Sequence, residues 1–143
     1  MTLSTTLGPP HPASVEVSRV RRALAMGADI RMFGWALALS GVVDVVWILS
    51  YPAYALKVFG TTFTGWAGWA VKIQHPLIHW AIGYGFARAR RWALWAYLAY
   101  LAVACLSETV TQLVDDWHSV RLSMMAVSVV CGGYLWSRRH VLT

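Results

Sequence analysis

Acidic residues are scarce in this sequence. Asp and Glu together number six in 143 residues, and charged residues of both signs make up 13%, well below the ~25% of an ordinary soluble domain. So little charge cannot cover a soluble domain of this length, and four apolar runs leave no room for a separate soluble catalytic domain. Cysteine is almost as rare: Cys105 and Cys131 form no CxxC pair, which argues against a thiol redox relay. Each sits in an apolar run, where a free cysteine behaves as a small hydrophobe, so no disulfide is expected. A glycine-flanked serine with histidine and acid partners is missing, as is a phosphate-cradling glycine loop. Residues 1 to 15 hold Ser, Thr and Pro without the basic and apolar regions of a signal peptide, so no cleaved leader is expected.

What the chain has is apolar length, with 58% hydrophobic residues. Runs at about 32–56, 63–87, 92–114 and 117–136 each supply the roughly 20 residues that a membrane-crossing helix needs. The expected fold is all-α, an integral membrane four-helix bundle over residues 32–143. A short tail, residues 1–31, precedes it, either disordered or lying at the membrane interface. In that tail Val17, Val20 and Leu24 recur at helical spacing while Arg19, Arg21 and Arg22 take other faces, the pattern of an amphipathic helix on an anionic surface. Asp29 is expected to cap the first helix, and Pro52 to lie near its far end.

The net charge of +6 is not spread evenly. Arg19, Arg21, Arg22 and Arg31 flank the first run, Arg88, Arg90 and Arg91 join the second to the third, and Arg138 and Arg139 end the fourth. Basic loops resist translocation, so both termini and the middle turn are expected in the cytoplasm, with Lys57 to Thr62 and the Asp115–Asp116 hairpin outside. This describes a multi-pass protein of a bacterial inner membrane. Its partners are the lipid bilayer and other proteins of a membrane complex, and nucleic acid is not among them. Of nine Trp residues, Trp35, Trp66, Trp92, Trp95, Trp117 and Trp136 fall near predicted helix ends, where indoles favour the headgroup region. Trp47, Trp69 and Trp80 lie deeper.

Ionisable residues inside apolar runs require an explanation, because a charge at the bilayer centre costs ~2.5–3.5 kcal/mol even on insertion scales. Asp44, Lys72, His75, His79 and Glu108 are of this kind. Helical spacing groups them into stripes: Ser40, Asp44, Trp47 and Tyr51; Gly68, Lys72, His75 and His79; Tyr97, Leu101, Glu108 and Gln112; and Arg121, Ser128 and Gly132. Matching depths pair Lys72 with Glu108, set Asp44 opposite His75, and bring Arg121 near Asp116 or Gln112. Pro76 is expected to kink the second helix and leave the Lys72 carbonyl without its donor. His75 and His79 form an HxxxH pair on one face, compatible with a metal ion or with a haem or chlorin ring ligated by either imidazole. His118 is placed at the rim.

Two functions compete on these grounds. The leading one is a non-catalytic accessory or binding subunit of a larger membrane complex. The other is a small membrane enzyme or carrier for an apolar or amphipathic substrate, using an outer-half polar site around Asp44, Lys72, His75 and Glu108. The sequence singles out no catalytic residue.

Overall fold

The computed structural model describes residues 18, 22, 25–53, 56–114 and 119–143. Most of the segment read as amphipathic, together with Asp115, Asp116, Trp117 and His118, lies outside the described residues, as does the side chain of Arg121. The regular structure of the described residues is helical apart from one small hairpin. In chain order it forms α1 (Ala28–Ser50), β1 (Lys57–Val58), β2 (Thr61–Thr62), α2 (Gly65–Ala87), α3 (Arg91–Val114) and α4 (Ser119–Ser137), followed by a single 3-10 turn at Arg139–Val141. α1 packs mainly on α2, α2 on α3, and α3 on α4.

The first helix is displaced from the expected 32–56. It begins behind Gly27, whose φ of 75° is easily reached only without a side chain. Asp29 therefore sits inside the first turn and makes no cap. The helix stops at Ser50 because Pro52 drives the preceding Tyr51 out of helical geometry, to φ −127° and ψ 68°. By contrast, α2 runs through Pro76 from Gly65 to Ala87 without a break.

The short connection between the first two runs builds a hairpin, with Lys57 opposite Thr62 and Val58 opposite Thr61. Phe59 and Gly60 both take positive φ, 51° and 74°, as a two-residue type I′ turn requires. The turn is held on α3: Phe59 N–H donates to Ser107 Oγ at 2.9 Å, and Gly60 N–H to Thr111 Oγ1 at 3.0 Å. Ser107 and Thr111 are one helical turn apart, so a single face of α3 receives both amides.

Small residues set the α1–α2 seam. A Cβ on Gly34 would stand 2.4 Å from the Ala87 nitrogen and 2.6 Å from the Gly83 oxygen, and one on Gly83 would stand 2.7 Å from the Gly34 oxygen. The two backbones meet directly, an approach that only residues without a side chain at the seam permit. Farther along, Gly41 lies against the Trp80 indole and the Pro76 carbonyl.

One end of the bundle is packed solid. Ile30, Ile82, Phe86, Ala93, Leu94, Leu135 and Leu142 form its core, and Phe33 stands edge-on to Phe86 and Tyr97 at 5.5 and 5.7 Å between ring centres. Asp29 closes it by accepting from Tyr134 Oη at 2.6 Å and from Arg138 Nε at 3.0 Å and Nη2 at 3.3 Å. Hydrogen bonding to Asp29 raises the Arg138 guanidinium above its ordinary pKa, so its charge is permanent. Thr143 donates its N–H to the Ala89 carbonyl and accepts from the Arg91 N–H, both at 2.8 Å. The start of α1, the Arg88–Arg91 turn and the end of α4 thus share one strongly basic end.

Two helices, α1 and α3, are long and apolar enough to cross a membrane. α2 falls short of that measure because Lys72, Gln74, His75 and His79 occupy its middle among Trp and Gly. The apolar part of α4, Leu122–Ser137, is shorter.

Candidate functional site

Beyond the packed end the helices separate around a cavity of about 490 Å³. Leu37, Ile82, Leu101, Ala104, Met124 and Met125 supply apolar wall. His75, His79, Tyr97, Tyr100 and Glu108 supply the polar part, with Lys57 and Leu56 entering from the hairpin side. His75 and His79 line this wall, and α1 brings Asp44 against both: Asp44 Oδ2 lies 3.0 Å from His79 Nδ1 and 3.7 Å from His75 Nε2. The close backbone seam is what makes this possible, since it places the Ser40–Asp44 stripe of α1 directly against the His75–His79 stripe of α2.

Hydroxyl groups orient both imidazoles. Ser40 Oγ donates to the Leu37 carbonyl at 2.7 Å and lies 3.1 Å from His79 Nδ1. With its only hydrogen committed, Ser40 accepts from His79 Nδ1–H, which leaves Nε2 as the ring's acceptor. His75 Nδ1 bonds the hydroxyl of Tyr100 on α3, so its Nε2 faces Asp44. The two rings lie 4.2 Å apart, centre to centre. Asp44 Oδ2 is buried and has no hydrogen-bond donor among the described residues despite its two histidine neighbours.

Other expected contacts are replaced. Lys72 is 8% exposed and does not pair with Glu108. Its Nζ donates to the Pro52 carbonyl at 2.7 Å and lies 5.3 Å from the centre of the Trp69 ring. The reason is local: beyond the end of α1 the Pro52 carbonyl has left the helical ladder, and a lysine one turn below His75 reaches it. Glu108 accepts from Gln112 Nε2 at 3.0 Å on its own helix and stays at the cavity. Arg121 cannot be assigned to this group, its side chain being outside the described residues.

Tyr100 is the site residue that the sequence reading passed over. Its signal was present, because Tyr100, Ala104 and Glu108 recur at i, i+4 and i+8 and all three line the cavity. The reading took the neighbouring Tyr97 instead, whose hydroxyl is spent on the Ser128 carbonyl of α4 at 3.1 Å. No protein-family model, curated protein or solved structure matches this chain.

Proposed function

We propose that the chain is a four-span membrane protein whose cavity binds an apolar or amphipathic molecule, the polar end of that molecule resting on the Tyr100–His75–His79 wall. The observation carrying this reading is the cavity itself. Its volume falls in the ~300–1,000 Å³ range of small-molecule sites, and it joins mostly apolar walls to a few convergent polar groups, as such sites do. Proton exchange along Tyr100, His75 and Asp44 is the chemistry these groups offer, which suits an enzyme or carrier.

Support for the membrane setting comes from the outer surface. Trp35, Leu39 and Leu49 on α1, Trp66 and Leu77 on α2, Val103 and Leu106 on α3, and Val127 and Val130 on α4 all point outward. Apolar exposure on every helix exceeds what soluble monomers tolerate. The basic end then faces the cytoplasm and the hairpin faces outward, as in a bacterial inner membrane. Orientation is checked by labelling intact cells with a membrane-impermeant maleimide after replacing Cys105 and Cys131 by Ala. Thr61→Cys is expected to react and Arg90→Cys to be protected, and the reverse would invert the topology. Ala89 is unsuited to this test because it is buried.

The cavity reading is tested by mass spectrometry of what the protein carries after extraction from native membrane in mild detergent. The wild type should retain a small amphipathic molecule at about one per chain. Ala104→Trp, which fills the cavity, should lose it without lowering the thermal midpoint of the ligand-free protein. A wild type that carries nothing but bulk lipid would reject the proposal. An accessory role in a larger complex draws on a different observation: α4 packs chiefly on α3, leaving its Val127–Val130 side open to a neighbouring chain. Retention of a partner protein in the same extract is the result that favours it.

A further inference from the structure

We infer that Asp44, His75 and His79 form a binding site for a divalent transition-metal ion such as Zn²⁺. A carboxylate oxygen and one ring nitrogen from each histidine all lie within 4.8 Å of one another. Two of the spacings, 3.0 and 3.7 Å from Asp44 Oδ2, bracket the ~3.4 Å edge of a tetrahedron with ligands about 2.1 Å from zinc. Histidines at i and i+4 on one helix face are the arrangement by which helical sites place two imidazoles on one ion.

Three further features point the same way. Among the described residues the buried Asp44 oxygen lacks a hydrogen-bond donor, and such an orphaned acceptor is costly unless something cationic completes it. On His79 the nitrogen facing Asp44 is Nδ1; on His75 it is Nε2, and the far Nδ1 of that ring is engaged by the Tyr100 hydroxyl. Fixing the far nitrogen in this way is how outer groups orient histidine ligands and set their tautomer. Lys72 lies on the same stripe as the two histidines but is turned onto the Pro52 carbonyl. Imidazole and carboxylate together suit borderline ions such as zinc better than magnesium or calcium, which favour all-oxygen sets. Three protein ligands leave the fourth position of a tetrahedral ion for water or for a polar group of another molecule. Binding requires both imidazoles neutral, so ion and protons compete for these rings.

This inference does not depend on what the cavity holds, and its test is made on protein stripped of small molecules. Untagged full-length protein in mild detergent, treated with a chelator, is titrated with Zn²⁺ by calorimetry and with Co²⁺ by visible absorption. One ion per chain is expected. Asp44→Asn, His75→Gln and His79→Gln should each weaken binding about a hundredfold or more, and Tyr100→Phe, which removes only an orienting hydroxyl, by about tenfold. Replacing His11, His118 and His140 together by Gln should leave affinity unchanged. Zinc should raise the thermal midpoint of the wild type and not that of Asp44→Asn, a readout that also reports whether the variant is folded. Equal affinity in the wild type and the three ligand variants, or loss of binding in the His11/His118/His140 variant, would overturn the assignment. So would a strong visible band in the protein as isolated, which would give the histidines to a tetrapyrrole.

Discussion

Gly34→Leu is expected to abolish the folded protein, and Gly34→Ala to destabilise it by about 1–3 kcal/mol or more. The atoms that a new Cβ meets here, the Ala87 nitrogen at 2.4 Å and the Gly83 oxygen at 2.6 Å, belong to backbone. They cannot swing aside, so the helices must separate. Separation also withdraws Asp44 from His75 and His79, and zinc affinity should fall in step with stability although no ligand is altered. Gly133→Ala is the matched control. A Cβ there meets nothing within 4 Å, and a helical Gly→Ala change in open space is worth about 0.5–1 kcal/mol in favour of the variant. Unfolding in detergent followed by circular dichroism measures both, and equal midpoints for the two alanine variants would remove the seam from this account.

Phe86→Ala should be the most damaging truncation at the packed end. Phe86 is 0% exposed and meets Phe33 and Tyr97 edge-on at 5.5 and 6.0 Å. Deleting a buried Phe typically costs ~3–5 kcal/mol. In the membrane setting proposed above the transfer part of that cost shrinks while the lost packing contacts remain, which gives an expected loss of about 3 kcal/mol. Trp66→Ala provides the contrast, since Trp66 is 91% exposed and its loss should leave the midpoint nearly unchanged. A Phe86→Ala protein as stable as the wild type would mean that the closed end is held by Asp29, Tyr134 and Arg138 instead of by its core.

Helical periodicity carried the reading of α2 and α3 because their ends are marked locally, by Gly65 and by the run of arginines after Ala87. It misjudged α1 because the boundary was set by apolar content, whereas Pro52 acts one residue earlier on Tyr51 through sterics that hydropathy does not register. The hairpin escaped notice for a related reason. Its turn is Phe59–Gly60 in place of the Asn-Gly or Asp-Gly pair that usually announces a type I′ turn, and the hydroxyls that receive it lie on α3. Stripes grouped His75 with His79 on α2 and Ser40 with Asp44 on α1, since a stripe is a property of each helix alone, and depth matching set Asp44 opposite His75, where the two side chains lie 3.7 Å apart. Depth matching failed for Lys72, as it compares side chains and overlooks the carbonyl left open beyond a helix end. The Asp29–Arg138 contact joins residues 109 positions apart, a separation over which neither spacing nor charge pattern in the sequence has a signature.

The three residues of the inferred metal site all come from α1 and α2, and so does the glycine seam that sets their distances. Contacts between neighbouring hairpin helices close short loops and form quickly, whereas contacts across the whole chain wait for everything between them. The Asp44–His75–His79 cluster needs only the first helical pair, so it can assemble before α3 and α4 are made. The later pair is a cover: Tyr100 fixes one imidazole, Met124 and Met125 wall in the space beside it, and the Asp29–Arg138 and Thr143–Ala89 contacts tie the end of the chain back. An ion can thus enter while the cluster is still open to its surroundings, and the order of synthesis then encloses it.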